Sequence, residues 1–152
     1  MSLEQEVELI RRFPIFNKIP PAKQKLLCFS SERLTYPAGQ EIFKEKEPGD
    51  ACYVVIEGDV DISVELPGNK GRLHVSTVGP NQLLGEIAIF GGVPRTATAT
   101  AKTRIEVLRI SAELFRSVVR ENPDAAVEVM RVLADRLDNT TRLLREQTSK
   151  LS

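Results

Sequence analysis

Between Gly39 and Gly92, short apolar runs rich in Val and Ile are separated by turn dipeptides, and every glycine of the chain falls within that stretch. Asp59 to Leu66 alternates most clearly. Val60, Ile62, Val64 and Leu66 share one face and Asp61, Ser63 and Glu65 the other, which predicts a strand buried on one side. Val54 to Ile56 and Arg72 to Val78 predict further strands, and Thr96 to Ile110 supplies two more short ones. Pro48-Gly49, Gly58 and the "LPGNKGR" segment mark the corners between them. Many short strands with frequent turns predict a small β-roll or barrel.

The ends of the chain follow a helical period instead. Glu4 to Arg12 and Pro21 to Cys28 predict two short helices, separated by Phe13-Pro14 and Ile19-Pro20-Pro21. Ser111 reads as the N-cap of a helix reaching Glu121, and Pro123 starts another with no later glycine or proline to end it. In that last helix Ala126, Met130, Leu133, Leu137, Thr140, Leu144, Gln147 and Leu151 recur at steps of four and three. This is the seam of a two-stranded coiled coil, and it predicts pairing of two subunits. The polar Thr140 inside the seam suits a ligand contact better than a dry zipper. The expected organisation is a single α+β domain over 1–152: N-terminal helices over 1–30, an antiparallel jelly-roll over 31–110, and C-terminal helices over 111–152.

Composition narrows the function. The 152 residues carry 21 Lys and Arg against 21 Asp and Glu, so no net charge draws the chain to nucleic acid or to an anionic membrane. No apolar run is long enough to span a bilayer and no secretory leader is recognisable, which predicts a cytoplasmic protein. Cys28 and Cys52 are too few for a disulfide framework and too far apart for a compact metal motif. His74 is the single histidine, so a two-histidine, one-carboxylate metal site on a cupin-like barrel cannot be built. The same shortage disfavours haem, and the lack of a cysteine cluster disfavours iron–sulfur. With no Ser/His/Asp set either, the chain reads as a binding module and not an enzyme, with no cofactor.

The chemistry concentrates in residues 83–98. Gly85 opens a short apolar helical turn with Glu86 in its first turn, and a lone Arg95 follows a Gly-Gly-Val-Pro bend into a Thr/Ala strand. Glycine lets the backbone approach a ligand, and the free amides at a helix start, here those of Ile87 and Ala88, favour an anion. The Arg95 fork can hold two phosphate oxygens, with Thr96 and Ala97 beside it. The Glu86 carboxylate, which can only accept, suits a sugar hydroxyl. Together they describe a sugar-phosphate site.

This stretch resembles the phosphate-binding cassette of the cyclic nucleotide-binding domain family, with Gly85, Glu86, Arg95 and Thr96 at the family's motif positions and a kinase-type spacing from Gly85 to Arg95. "FPIFNKIP" and "YPAGQEIFKEKEPGDACYVVIEGDVDI" are similar to the family's opening segment and first strands, and "NPDAAVEVMRVLADRLDNTTRLL" is similar to the dimer helix of catabolite-activator-type members. The resemblance implies a cyclic nucleotide ligand, cyclic AMP favoured and cyclic GMP the alternative. It implies a phosphate held by Arg95 and the amides after Gly85, and a ribose held by Glu86. Thr140 and Thr141 are placed where hydroxyls reach the purine, one from each subunit of a homodimer. Thr96 blurs the choice of base, since in the cyclic-GMP kinases a threonine after the arginine contacts guanine. The helix offers no aromatic residue to stack on a base, which leaves Arg142, Leu143 or Leu144 to cap it. Residues after 123 show neither a turn glycine nor a strongly basic face, so direct DNA binding by this chain is not expected. The remaining alternatives are the effector-binding part of a transcription regulator and a cassette turned to a non-nucleotide ligand.

Overall fold

The computed structural model describes residues 2–151, the side chain of Leu151 excepted, so that last position of the expected seam lies outside the described side chains. The chain opens with α1 (Leu3–Ile10) and α2 (Pro21–Ser30) and runs through β1 (Glu32–Tyr36), β2 (Glu41–Phe43), β3 (Ala51–Glu57), β4 (Val60–Glu65), β5 (Arg72–Val78) and β6 (Leu83–Leu84). It then forms α3 (Glu86–Gly91), β7 (Thr98–Ala101), β8 (Ile105–Ser111), α4 (Ala112–Glu121) and α5 (Pro123–Leu151). The strands make two four-stranded sheets, ordered β1-β8-β3-β6 and β2-β7-β4-β5, with every pairing antiparallel. This is the expected antiparallel roll between helical ends.

Local chemistry sets the helix starts. Ser2 and Gln5 form a reciprocal capping box on α1, Pro21 occupies the first turn of α2, and the Ser111 hydroxyl accepts from the Leu114 amide at 3.2 Å. Asn122 joins α4 to α5: its Nδ2 donates to the Val118 carbonyl at 2.7 Å, while its own carbonyl accepts from the Ala126 amide. The first helix stops at Ile10, earlier than expected, because Phe13 and Phe16 turn into the core beneath it.

Two apolar clusters flank the first sheet. Tyr53, Val55, Val60, Ile62, Leu84, Ile105 and Val107 fill the space between the sheets, while Cys52, Val54, Leu108 and Ile110 point outward onto the helices with Phe13, Phe16 and Phe115. Residues 51–55 are therefore buried on both faces. That removes the alternation a one-sided strand shows and explains why β3 is longer than the expected Val54–Ile56.

Helix α5 buries Ala125 and Val129 in the outer cluster, with Leu133 half-buried against it, and then leaves the core. Met130, Leu137 and Leu144 of the expected seam are 65%, 69% and 66% exposed, whereas Leu133 packs on the outer cluster and Thr140, Leu144 and Gln147 border a cavity between α5 and the roll. Beyond Val129 the face turned to the roll carries Val132, Arg136, Asn139 and Leu143. No helix is long and apolar enough to cross a membrane among the described residues.

Candidate functional site

Gly85 ends β6 in the left-handed region at φ 86° and caps α3. A Cβ there would lie 2.6 Å from Arg95 Nη1, so only glycine lets the guanidinium pass. Arg95 is buried: Nη1 donates to the Gly85 carbonyl at 2.9 Å, Nη2 to the Ala51 carbonyl at 2.6 Å, and Cζ stands 4.1 Å over the Phe43 ring. Its main chain is clamped as well, the amide donating to Glu47 O and the carbonyl accepting from the Lys46 amide, each at 2.8 Å. Nε has no hydrogen-bond partner. Burial pulls the Arg95 pKa below its ordinary value, against Tyr53, Asp50, Cys52 and Glu47, which favour the charged form.

Glu86 is fully buried, which is unusual for a carboxylate. Its charge partner comes from α5, where Arg136 Nε lies 2.8 Å from Oε1, yet neither carboxylate oxygen receives a well-aligned hydrogen bond. Burial raises the Glu86 pKa, opposed by Arg136, by its own main chain and by Arg95. The same Arg136 guanidinium also donates to the Leu83 carbonyl. One turn on, Asn139 Nδ2 donates to the Val75 carbonyl at 3.1 Å. These two side chains fasten α5 over the roll.

Beneath α5 lies a cavity of about 680 Å³, within the range of small-molecule sites. Ile62, Val64 and Val75 line it from the roll, and Asn139, Thr140 and Leu143 from the helix. Of the residues expected at the site, Ile87, Thr96, Ala97 and Thr140 meet in this cavity. Gly85, Glu86, Ala88 and Arg95 do not line it, and the two charges are turned onto protein partners. Thr141 does not line the cavity; its hydroxyl donates to the Leu137 carbonyl at 2.9 Å along its own helix. Leu143, Leu144 and Gln147 line the far end, and Arg142 is drawn to Asp138 at 3.5 Å. Sequence reasoning missed Arg136 and Asn139. The available signal was a pair of polar residues three apart on the flank of the apolar stripe.

Other reactive groups are quiet. Burial raises the Cys28 thiol to about 11 and Cys52 well above its ordinary value, so both are protonated thiols. His74 is an exposed strand residue beside Thr77 and Asp61, at 3.1 and 3.3 Å.

The model of the cyclic nucleotide-binding domain matches residues 33–122, more than half of the chain and inclusive of the whole cassette. The chain belongs to that family. It is 32% identical over 137 residues to the CRP-like cAMP-activated global transcriptional regulator of Mycobacterium tuberculosis, covering 90% of this chain and 61% of that protein. The chain thus spans about three-fifths of the curated relative it matches. Among solved structures it is similar to the catabolite activator protein of Thermus thermophilus, with a TM-score of 0.74 and 27% identity over 89% of this chain and 63% of that one. It is also similar to the N-terminal domain of a transcriptional regulator from Streptomyces coelicolor, with a TM-score of 0.65 and 32% identity, covering 90% of this chain and 94% of that one. The cyclic nucleotide-binding fold accounts for the roll, the α3 cassette and the α5 roof together.

Proposed function

We propose that this domain is a cytoplasmic, non-catalytic cyclic nucleotide sensor, with cyclic AMP favoured over cyclic GMP. The observation that carries the reading is Glu86, a fully buried carboxylate without an aligned hydrogen-bond donor, held in one cassette with a buried arginine whose Nε is also unsatisfied. Unsatisfied buried polar groups cost stability, and a sugar hydroxyl and an anionic oxygen are the partners they lack. In the structure, main-chain carbonyls and Phe43 occupy Arg95, and Arg136 occupies Glu86. The cyclic phosphate takes the Arg95 guanidinium, the amides after Gly85, and Thr96 with Ala97. The ribose 2'-hydroxyl donates to Glu86, and the purine lies under α5 beside Thr140. Thr141, turned from its own cavity, serves that of a second copy paired along α5. The name of the mycobacterial relative supports cyclic AMP and a regulatory role.

Isothermal titration of protein stripped of ligand by unfolding and refolding, with cyclic AMP and cyclic GMP in parallel, tests the reading. Arg95→Ala should weaken binding by about 2 kcal/mol or more, roughly thirtyfold, because the phosphate loses its charged fork. Equal affinity in the variant overturns the assigned site, and absence of binding in folded wild type overturns the ligand class.

A further inference from the structure

Strand β5 carries a bulge under α5. Ile62 of β4 pairs with Ser76 and Ser63 with His74, so Val75 is left without a partner on β4. A bulged residue drops out of the ladder, and the Val75 carbonyl is taken by Asn139 Nδ2 across the cavity that both residues line. A carbonyl only accepts. The amide nitrogen must therefore face Val75, which fixes the Asn139 side chain in one of its two flips. No donor reaches Asn139 Oδ1 among the described residues, and one Nδ2 proton remains after the Val75 bond. Asn139 thus offers a free acceptor and a free donor side by side, in a fixed order.

Position gives this pair something to read. Arg136, three residues earlier and about 4.5 Å back along the helix, is fastened to Glu86, the proposed ribose acceptor. A base carried on that ribose reaches the next turn of α5, where Asn139 stands. Resting on the cyclic nucleotide reading above, we infer that Asn139 is the specificity-determining residue for the base and selects a 6-aminopurine. Oδ1 accepts from the exocyclic amine while the remaining Nδ2 proton goes to the neighbouring ring nitrogen, the two-point pairing asparagine makes with adenine. A freely rotating asparagine could flip to suit a 6-oxopurine. The Val75 carbonyl removes that choice, so a 6-oxo group meets Oδ1 acceptor to acceptor.

Cyclic AMP and cyclic inosine monophosphate differ in this 6-amino or 6-oxo group and share the sugar and phosphate. In calorimetric titration, wild type should bind cyclic AMP at least about tenfold more tightly. Asn139→Ala should bring the ratio close to one, because cyclic AMP loses a two-point pairing that the inosine nucleotide does not make. Asn139→Ser, which keeps a hydroxyl but not the two-point pattern, should behave like the alanine variant. A merely structural strut would weaken both nucleotides alike and leave the ratio intact, which overturns the inference, as does wild type with no preference. Failure of wild type to bind either nucleotide is a different result: it removes the sugar-phosphate reading of the cassette and this inference with it.

Discussion

Glu86 joins sequence, burial and function at a single side chain. Its place after Gly85 puts it in the first turn of α3, where the helix dipole favours a carboxylate, and the fold then seals it from water. Desolvation wins over Arg136, its own main chain and Arg95, and its pKa rises. The folded chain therefore keeps the Glu86 proton to higher pH than the unfolded chain does. The stability this contributes is fully present below the ordinary glutamate pKa and is lost as pH rises through the raised one. Relative to Glu86→Gln, wild type should lose stability across a window that starts near the ordinary glutamate value, about pH 4, and then level off. Urea midpoints of both proteins at stepped pH check this, and parallel curves rule the titration out. The cassette was legible because its residues are close in sequence and each has one obvious chemistry. The Arg136 partnership was not, because 49 intervening residues hide a contact that only the docking of α5 creates.

Among the elements, the amphipathic ones were read best. The alternation of β4 and the Ser111 cap gave Val60–Glu65 and Ala112–Glu121 nearly to the residue. β6 was missed at two residues, too short to show any period, and β1 was missed because its faces are exposed or half-buried throughout. In α5 the heptad pattern and the packing describe overlapping faces, since Leu133, Thr140, Leu144 and Gln147 of the stripe also meet the core or the cavity. Val129, Arg136, Asn139 and Leu143 turn to the roll, while Met130, Leu137 and Leu144 form an adjacent exposed row. Such a row at heptad spacing is costly in water unless a second copy covers it. Leu137→Glu places like charges across that seam and should shift the protein from dimer to monomer in sedimentation analysis, with little change in monomer fold because the residue touches no core. A variant still dimeric at low micromolar concentration, or a wild type monomeric there, removes α5 as the pairing surface.

For the molecule as a whole, α5 is both the roof of the cavity and the free edge of the domain, so whatever sets its docking sets the shape seen by a partner. Two side-chain struts hold it where the core contacts have ended: Arg136 to Glu86 and Leu83, and Asn139 to Val75. The first strut uses the carboxylate assigned to the ribose. On the proposed reading, ligand and helix compete for that acceptor while the Asn139–Val75 contact holds, so binding should swing α5 about Asn139 by as much as the ligand prefers the rearranged state. At a hundredfold excess over its dissociation constant, a ligand specific for that state supplies about 2.7 kcal/mol, enough to displace one charge-assisted contact. Spin labels on Arg104→Cys in the roll and Thr148→Cys on α5, both exposed positions, report the change as a distance. Cys28, with its pKa near 11, and the buried Cys52 compete poorly for the label. Saturating cyclic AMP should move the mean distance by several ångströms, and Arg136→Ala should reproduce much of that shift with no ligand present. A distance unchanged by saturating ligand leaves the domain a binder without a switch, and one that Arg136→Ala leaves fixed while ligand moves it places the coupling in a contact other than this strut.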